Sequence, residues 1–332
     1  TLLFSEPVSE AIMNPESLGW SAFFSDQLIE EDANGNERPS RVVGISRTEA
    51  TLHDGKREFK TNVGGKWFHN RGEEQPIVGD WVLVDRENKM TRLFVRRNAL
   101  HRANPYKPGK MQSMTANLDK LLIVSSCNDD YNESRIERFL TLAESNGIEP
   151  VVVLTKADLT DKEDSYKFRT RDLTSCSTYL INATKDSDCE KLLEHLISGE
   201  TASLIGSSGV GKSTIVNSLF KQKVQKTQSV RISDSKGRHT TTSRSLHILP
   251  NGALIIDSPG IREIALVDEQ VDLASSFDDI RQLARQCRFS NCRHKKEPDC
   301  AIHAAIDNGK LDARRLESFL RLSDKARSIS QS

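Results

Sequence analysis

The stretch Gly206-Ser207-Ser208-Gly209-Val210-Gly211-Lys212-Ser213 decides the fold. It satisfies G-x-x-x-x-G-K-[ST], the phosphate-binding P-loop, and stands between the apolar run Ser203-Leu204-Ile205 and the helix-like segment Thr214 to Phe220. The glycines let successive backbone N–H groups turn inward on phosphate oxygens, and the helix N-terminus adds a partial positive charge. In this reading Ser208, Gly209, Val210, Gly211 and Thr214 line the phosphates, Lys212 reaches the β- and γ-phosphates, and the Ser213 hydroxyl ligates Mg²⁺. The sequence thus implies a nucleoside triphosphate as ligand.

Working outward, Asp257-Ser258-Pro259-Gly260 ends the apolar strand Leu254-Ile255-Ile256. An acid at the end of a buried strand beside a P-loop is where Mg²⁺ is held through water, and the Gly260 N–H is free to turn toward a γ-phosphate. Between the two motifs lies Gly237-Arg238-His239-Thr240-Thr241-Thr242, in a polar segment without apolar periodicity. One of its threonines, with Thr241 the working choice, is expected to complete the Mg²⁺ shell in the triphosphate state and so order the loop.

Upstream, Thr155-Lys156-Ala157-Asp158 follows the buried strand Val151 to Leu154 and has the form of the guanine-reading N/T-K-x-D signature. Asp158 would accept two hydrogen bonds from guanine N1 and the 2-amino group, which adenine cannot supply. Lys156 would lay its stem along the purine, and Ala183 in Asn182-Ala183-Thr184 would bring a backbone N–H to the 6-oxo group. The base-reading residues thus precede the phosphate-binding ones along the chain. In common P-loop GTPases the order is the reverse, so the chain reads as a circular permutation in which the segment after Gly260 runs directly into the C-terminal region. Nucleotide state could therefore reposition that region.

Alternating strands and helices from about residue 113 to 270 indicate a mostly parallel, doubly wound α/β sheet: Leu121 to Val124, a helix from Glu133 to Asn146 capped by Gly147, Val151 to Leu154, Tyr179 to Ile181, a helix from Glu190 to Ile197, then the P-loop unit. Leu246 to Leu249 and Ala253 to Ile256 are expected to pair across Asn251-Gly252. Ahead of this unit, residues 38–112 show about five short strands and an Asp54-Gly55 hairpin signal. The expected strands are Arg41 to Ile45, Glu49 to His53, Phe59 to Val63 with Trp67-Phe68, Trp81 to Val84, and Leu93 to Val95, followed by a linker over 103–116. A small barrel of the oligonucleotide-binding type accounts for them, and an SH3-like barrel would give nearly the same pattern.

The formal net charge of zero hides segregation. Residues 1–37 hold eight acidic side chains and no Lys or Arg, whereas residues 38–112 carry a net +8, which suits a polyanion such as RNA. The acidic extension reads either as mobile or as a short docking helix around Leu18–Leu28. Beyond residue 271 the chain looks helical, over Leu273 to Gln286, Ala301 to Asp307 and Asp312 to Ala326, around Cys287-x4-Cys292-x-His294-x5-Cys300. Three thiolates and an imidazole suit one closed tetrahedral Zn²⁺ site, with Arg288, Arg293, Lys295 and Lys296 favouring thiolates and offering phosphate contacts. Cys127, Cys176 and Cys189 are scattered and read as structural. Six cysteines in 332 residues are too few for a disulfide scaffold, no signal peptide is visible, and no apolar run nears the ~18 residues of a membrane span. Cytoplasm, no membrane and a monomer are the simplest expectations.

A basic barrel, a permuted GTPase unit and a C-terminal Cys-Cys-His-Cys element together resemble the RsgA/YjeQ family of bacterial ribosome-associated GTPases. The likeness spans roughly residues 38–330 and is specific through G-R-H-T-T-T, D-S-P-G and the cysteine spacing. It implies a late maturation factor of the small (30S) ribosomal subunit that binds rRNA and hydrolyses GTP to GDP and phosphate faster when docked there. A GTP-dependent RNA-binding switch without significant catalysis is the alternative from another class, and a P-loop ATPase or small-molecule kinase is the other. Ile261 stands where a Ras-like enzyme has its water-orienting Gln, so intrinsic turnover should be slow. His239 is then the local candidate to position the water, alongside Lys212 and Asp257.

Overall fold

A computed structural model describes residues 14–29, 32, 37–46, 48–64, 67, 75–103, 111–226, 244–257, 277–295, 297–311, 313, 315–317 and 319–320. Its five N-terminal strands are β1 (Arg38–Ile45), β2 (Glu49–His53), β3 (Glu58–Asn62), β4 (Trp81–Val84) and β5 (Met90–Leu93). They lie antiparallel in the order β3-β2-β1-β4-β5 around Val42, Leu52, Val82, Val84 and Met90, the order of an oligonucleotide-binding barrel. At the β2–β3 hairpin, Asp54 Oδ1 accepts the backbone N–H of Lys56 and Arg57 at 2.9 and 3.0 Å, and Gly55 takes φ +90°. Trp67 is not in a strand as expected. It sits instead in the barrel core, 5% exposed.

Of the expected linker over 103–116, residues 104–110 lie outside the described residues and the others are strand. A hairpin of β6 (Ala99–Ala103) and β7 (Met111–Ala116) spans it, pairing Ala99 with Ala116 and Ala103 with Met111. Pro105, Pro108 and Gly109 mask the pattern, while the strand on each side satisfies the other's backbone groups.

The nucleotide-type unit follows. It comprises β8 (Lys120–Ser126), α1 (Glu133–Ser145), β9 (Glu149–Thr155), α2 (Glu163–Leu173), β10 (Thr178–Leu180), α3 (Asp186–His195), β11 (Thr201–Ile205), α4 (Lys212–Lys226), β12 (Ser245–Ile248) and β13 (Leu254–Asp257). Strands β10-β9-β8-β11-β13 are parallel neighbours, and β12 returns antiparallel to β13 across Asn251-Gly252. Buried Ile136, Phe139, Leu140 and Ala143 form the inner face of α1. At its end the Gly147 N–H reaches Glu144 O and the Ile148 N–H reaches Ala143 O, a Schellman closure with Gly147 at φ +66°. Helix α3 starts four residues before the expected Glu190.

Helix α2 was not expected. Its sequence is largely charged, and it is held by aromatic and polar contacts in place of an apolar stripe. Tyr166 meets Tyr131 edge-on at 5.1 Å, Arg169 lies 4.7 Å from the Tyr131 ring, and Thr170 and Tyr131 hydroxyls are 2.9 Å apart. The barrel and the α/β unit share one sheet because β1 pairs with β12 at Gly44 and Ser245.

Of the two readings for the N-terminal extension, the docked one is observed for its described part. A 3₁₀ turn (Pro15–Leu18) and a helical turn (Ala22–Ser25) bury Leu18 and Phe24 completely. Trp20 stacks edge-on against Trp81 and Phe94, and the buried Arg41 guanidinium donates to Leu18 O, Gly79 O and Asn117 O, tying the strap, the barrel and the α/β unit. At the C-terminal end, Asp278–Ala284 and Ala301–Asp307 are helical and enclose Phe277, Ile280, Cys300 and Ile302. Residues 273–276, 312, 314, 318 and 321–326 of the expected helices lie outside the described residues.

Candidate functional site

In a parallel sheet the loops at the carboxyl ends of neighbouring strands face one crevice, and ligands bind there. The loops after β9, β10 and β11 carry Lys156–Asp158, Asn182–Thr184 and the P-loop, and Asp257 closes β13 at the same end. Motifs far apart along the chain therefore meet at one edge.

Two hydrogen bonds fasten them. Thr155 Oγ1, fully buried, donates to Val210 O in the P-loop at 2.5 Å across 55 residues, with Ser125 O at 3.2 Å beside it. Ser218 Oγ on α4 donates to Ala183 O at 2.9 Å across 35 residues. Thr155 is an unusual first residue for a base-reading motif, and the contact explains it physically. Its hydroxyl ties the P-loop to the end of β9.

Within the P-loop, Gly206 lies so close to β8 that a Cβ would fall 2.1 Å from Val124 O, and its φ is +152°. Val210 is buried, whereas Ser208, Gly209, Ser213 and Thr214 are exposed over the start of α4. Lys212 Nζ donates to Gly206 O at 2.6 Å and to Ser207 O, inside the loop it would serve. Lys156 takes φ +57°, uncommon for a residue with a side chain, and turns the chain into the short helical turn Ala157–Leu159 that exposes Asp158. Asp257 ends β13 beside β11, placing a carboxylate one strand from the P-loop. A hydroxyl and a carboxylate are hard oxygen donors of the kind Mg²⁺ takes. His239, Thr240, Thr241, Thr242, Gly260 and Ile261 lie outside the described residues.

The sequence reading missed several supporting groups. Asp188 Oδ2 accepts the Asn182 N–H at 2.9 Å, and this hydrogen bond holds the Asp188 carboxyl below its ordinary range. The only signal was its position in the first turn of a helix. Asp130 and Arg135, after β8, meet Ser207 of the P-loop. Arg135 occupies a polar position of an amphipathic helix, and nothing in the sequence links it to a loop 72 residues away.

The second cluster is Cys287, Cys292, His294 and Cys300, whose donor atoms all lie within 4.8 Å of one another. Cys287 Sγ is 3.7 Å from His294 Nδ1 and 3.9 Å from Cys300 Sγ, and Cys300 Sγ is 3.6 Å from His294 Nδ1. Ligands ~2.0–2.3 Å from a tetrahedral centre stand about 3.5–3.8 Å apart, so the spacing fits Zn²⁺. Lost hydration and the neighbouring Cys300 and Cys287 push the Cys292 thiol up to about 11, a cost that a divalent cation would remove. Burial holds His294 below its ordinary pKa, keeping the ring neutral as a ligand must be. His294 and Asp299 both take left-handed backbone, at φ +57° and +56°, in the tight knuckle that converges the donors. Cys127, Cys176 and Cys189 are free, apart from this cluster, and burial pushes Cys127 up to about 11, an unreactive thiol.

A P-loop on the central strand of a parallel sheet, with the loops carrying Thr155-Lys156-Ala157-Asp158 and Asn182-Ala183-Thr184 ahead of it in the chain, fits a circularly permuted P-loop GTPase. Comparison with known proteins takes this further. The RsgA GTPase family model matches residues 93–267. The chain is 42% identical over 306 residues to small ribosomal subunit biogenesis GTPase RsgA 2 of Vibrio vulnificus (strain CMCP6), covering 92% of this chain and 86% of that one. It is 38% identical over 324 residues to small ribosomal subunit biogenesis GTPase RsgA of Syntrophotalea carbinolica, covering 93% and 88%. Among solved structures, YjeQ from Thermotoga maritima superposes with a TM-score of 0.54 at 25% identity, over 86% of this chain and 97% of that one. YloQ, described as a circularly permuted GTPase, superposes at 0.51 with 23% identity, over 88% and 96%, and supports the fold. The chain belongs to the RsgA GTPase family, whose members hydrolyse GTP.

Proposed function

We propose that this GTPase acts in late maturation of the small ribosomal subunit, binding its rRNA and hydrolysing GTP to GDP and phosphate when docked there. The reading rests on the subunit biogenesis GTPases to which the chain is similar. The observation that carries the nucleotide site is the Thr155–Val210 hydrogen bond, which holds base-reading and phosphate-binding loops side by side.

In this account Asp158, Lys156 and the Ala183 N–H read guanine. The N–H groups of Ser208, Gly209, Val210, Gly211 and Thr214 cradle the phosphates, and Lys212 leaves Gly206 O and Ser207 O to bind them. Ser213 and Asp257, with Thr241, would hold Mg²⁺, which neutralises charge on the β- and γ-phosphates. His239 orients the attacking water, Gly260 donates toward the γ-phosphate, and Cys287, Cys292, His294 and Cys300 hold a structural Zn²⁺. Residues 1–37 are an acidic N-terminal extension, 38–112 an RNA-binding domain of the oligonucleotide-binding type, 113–270 the permuted GTPase unit and 271–332 the zinc-binding unit. The protein works as a cytoplasmic monomer. No helix among the described residues is long and apolar enough to cross a membrane.

The test is GTP turnover with purified small subunits, large subunits or neither. Stimulation by small subunits alone is expected. Equal slow turnover in all three, with GTP-dependent cosedimentation retained, would replace the enzyme reading with that of a binding switch.

A further inference from the structure

The P-loop is held from outside by β8 and the loop that follows it. Its first residue, Gly206, is pressed against Val124 O of β8, and its second, Ser207, is gripped by the loop that follows β8. Ser207 Oγ donates to Asp130 Oδ2 at 2.8 Å. Arg135 Nη1 donates to Ser207 Oγ and lies 3.2 Å from each Asp130 carboxylate oxygen. The grip is itself anchored. Ser126 Oγ donates to Asn128 Oδ1 at 2.7 Å, the Asp130 N–H reaches the same oxygen at 3.1 Å, and Asn132 caps α1 by accepting the Arg135 N–H at 2.8 Å. Arg135 therefore projects from a stiff helix start and not from a free surface.

Ser207 also offers its carbonyl, with that of Gly206, to Lys212 Nζ. One residue thus carries both the external grip and the resting contact of the lysine that must move to the phosphates. A loop fixed at this residue before ligand arrives has less conformational freedom to lose on binding. We infer that Arg135 is a positioning residue for guanine-nucleotide binding, which acts through Ser207 and Asp130 to preset the phosphate-binding loop. The inference deepens the assignment of the nucleotide site and rests on it. Ser207 precedes the parts of the loop that face the γ-phosphate, so the effect falls equally on GDP and GTP.

The experiment measures Kd for fluorescent GDP and a non-hydrolysable GTP analogue, with kcat and KM for GTP. The full chain is compared with Arg135→Ala, Arg135→Lys, Ser207→Ala and the Arg135→Ala/Ser207→Ala double variant, with thermal melting of each nucleotide-free protein. Arg135→Ala should raise both Kd values and KM about 3- to 10-fold while kcat stays within about twofold. Arg135→Lys, which retains a cationic donor, should recover most of the loss, and the double variant should bind no worse than the weaker single one. Multiplicative effects in the double variant, a loss confined to GTP, or a fall in kcat and melting temperature with unchanged Kd would overturn the inference. If Arg135→Ala does not fold, Ser207→Ala and Arg135→Lys decide it: unchanged Kd in Ser207→Ala overturns it. Failure of the unaltered chain to bind GDP would instead sink the nucleotide site on which it rests.

Discussion

Replacing Thr155 with Val exchanges a hydroxyl for a methyl group and keeps the branched shape. The side chain is fully buried, its methyl packs 3.6 Å from where a Cβ on Gly211 would lie, and the two residues have the same branched shape. What is lost is the hydroxyl that donates to Val210 O at 2.5 Å, with Ser125 O at 3.2 Å beside it. A buried carbonyl left without its partner costs about 1–3 kcal/mol, and each 1.4 kcal/mol is a factor of ten in an equilibrium constant. If the bound state bears the whole cost, GDP affinity falls between about 5- and 150-fold. Thr155→Ser keeps the hydroxyl and should bind within about threefold of the unaltered protein. Titration of fluorescent GDP against the three proteins, with circular dichroism to verify folding, reads this directly. Wild-type affinity in a folded Thr155→Val protein would refute the argument that this hydrogen bond sets the distance between the base-reading and phosphate-binding loops.

Three further outcomes follow from the same physics. Asp188→Asn should loosen the Asn182–Thr184 loop and lower stability at pH 7; because the folded carboxyl titrates below its unfolded value of ~3.9, the difference from wild type should persist above that pH and vanish as pH falls through the folded value, measured by denaturant titration across pH 2–7. One Zn²⁺ per chain is expected by elemental analysis, lost in Cys300→Ser and on strong chelation, with increased proteolysis confined to the region after residue 277. Phe24→Ala should cost about 3–5 kcal/mol in denaturant unfolding, since its ring is fully buried against Trp20, Trp81 and Phe94; a cost under about 1 kcal/mol would mean that the strap is not docked in solution.

What could be read ahead of the structure divides along a physical line. Local rules exposed the P-loop strand and helix, the Asp54-Gly55 and Asn251-Gly252 turns, the inner face of α1 and the four clustered zinc-type donors, because each depends on spacing or on one residue's backbone freedom. Features that depend on partners distant in sequence were hidden. Met111–Ala116 has weak β character and becomes a strand by pairing with Ala99–Ala103. Helix α2 lacks an apolar stripe and is fixed by the aromatic contacts of Tyr131 and Tyr166. The joining of two sheets through Gly44 and Ser245 leaves no mark in either segment. The same holds at the site: the motif around Thr155 could be read from its spacing, but the tie of its hydroxyl to Val210 could not.

The central claim is that two loops, exchanged in chain order, form a single guanine-nucleotide pocket, and base specificity tests it most directly. In the proposed site, Asp158→Asn replaces a carboxylate that would accept from the guanine 2-amino group with an amide that can donate. Xanthine, which carries a carbonyl at that position, should then be preferred. Affinities of GDP and xanthosine diphosphate measured on both proteins should invert, with GDP favoured by the unaltered chain and xanthosine diphosphate by the variant. An Asp158→Asn protein that binds GDP as tightly as before and still rejects xanthosine diphosphate would contradict the account, because the base would then lie elsewhere.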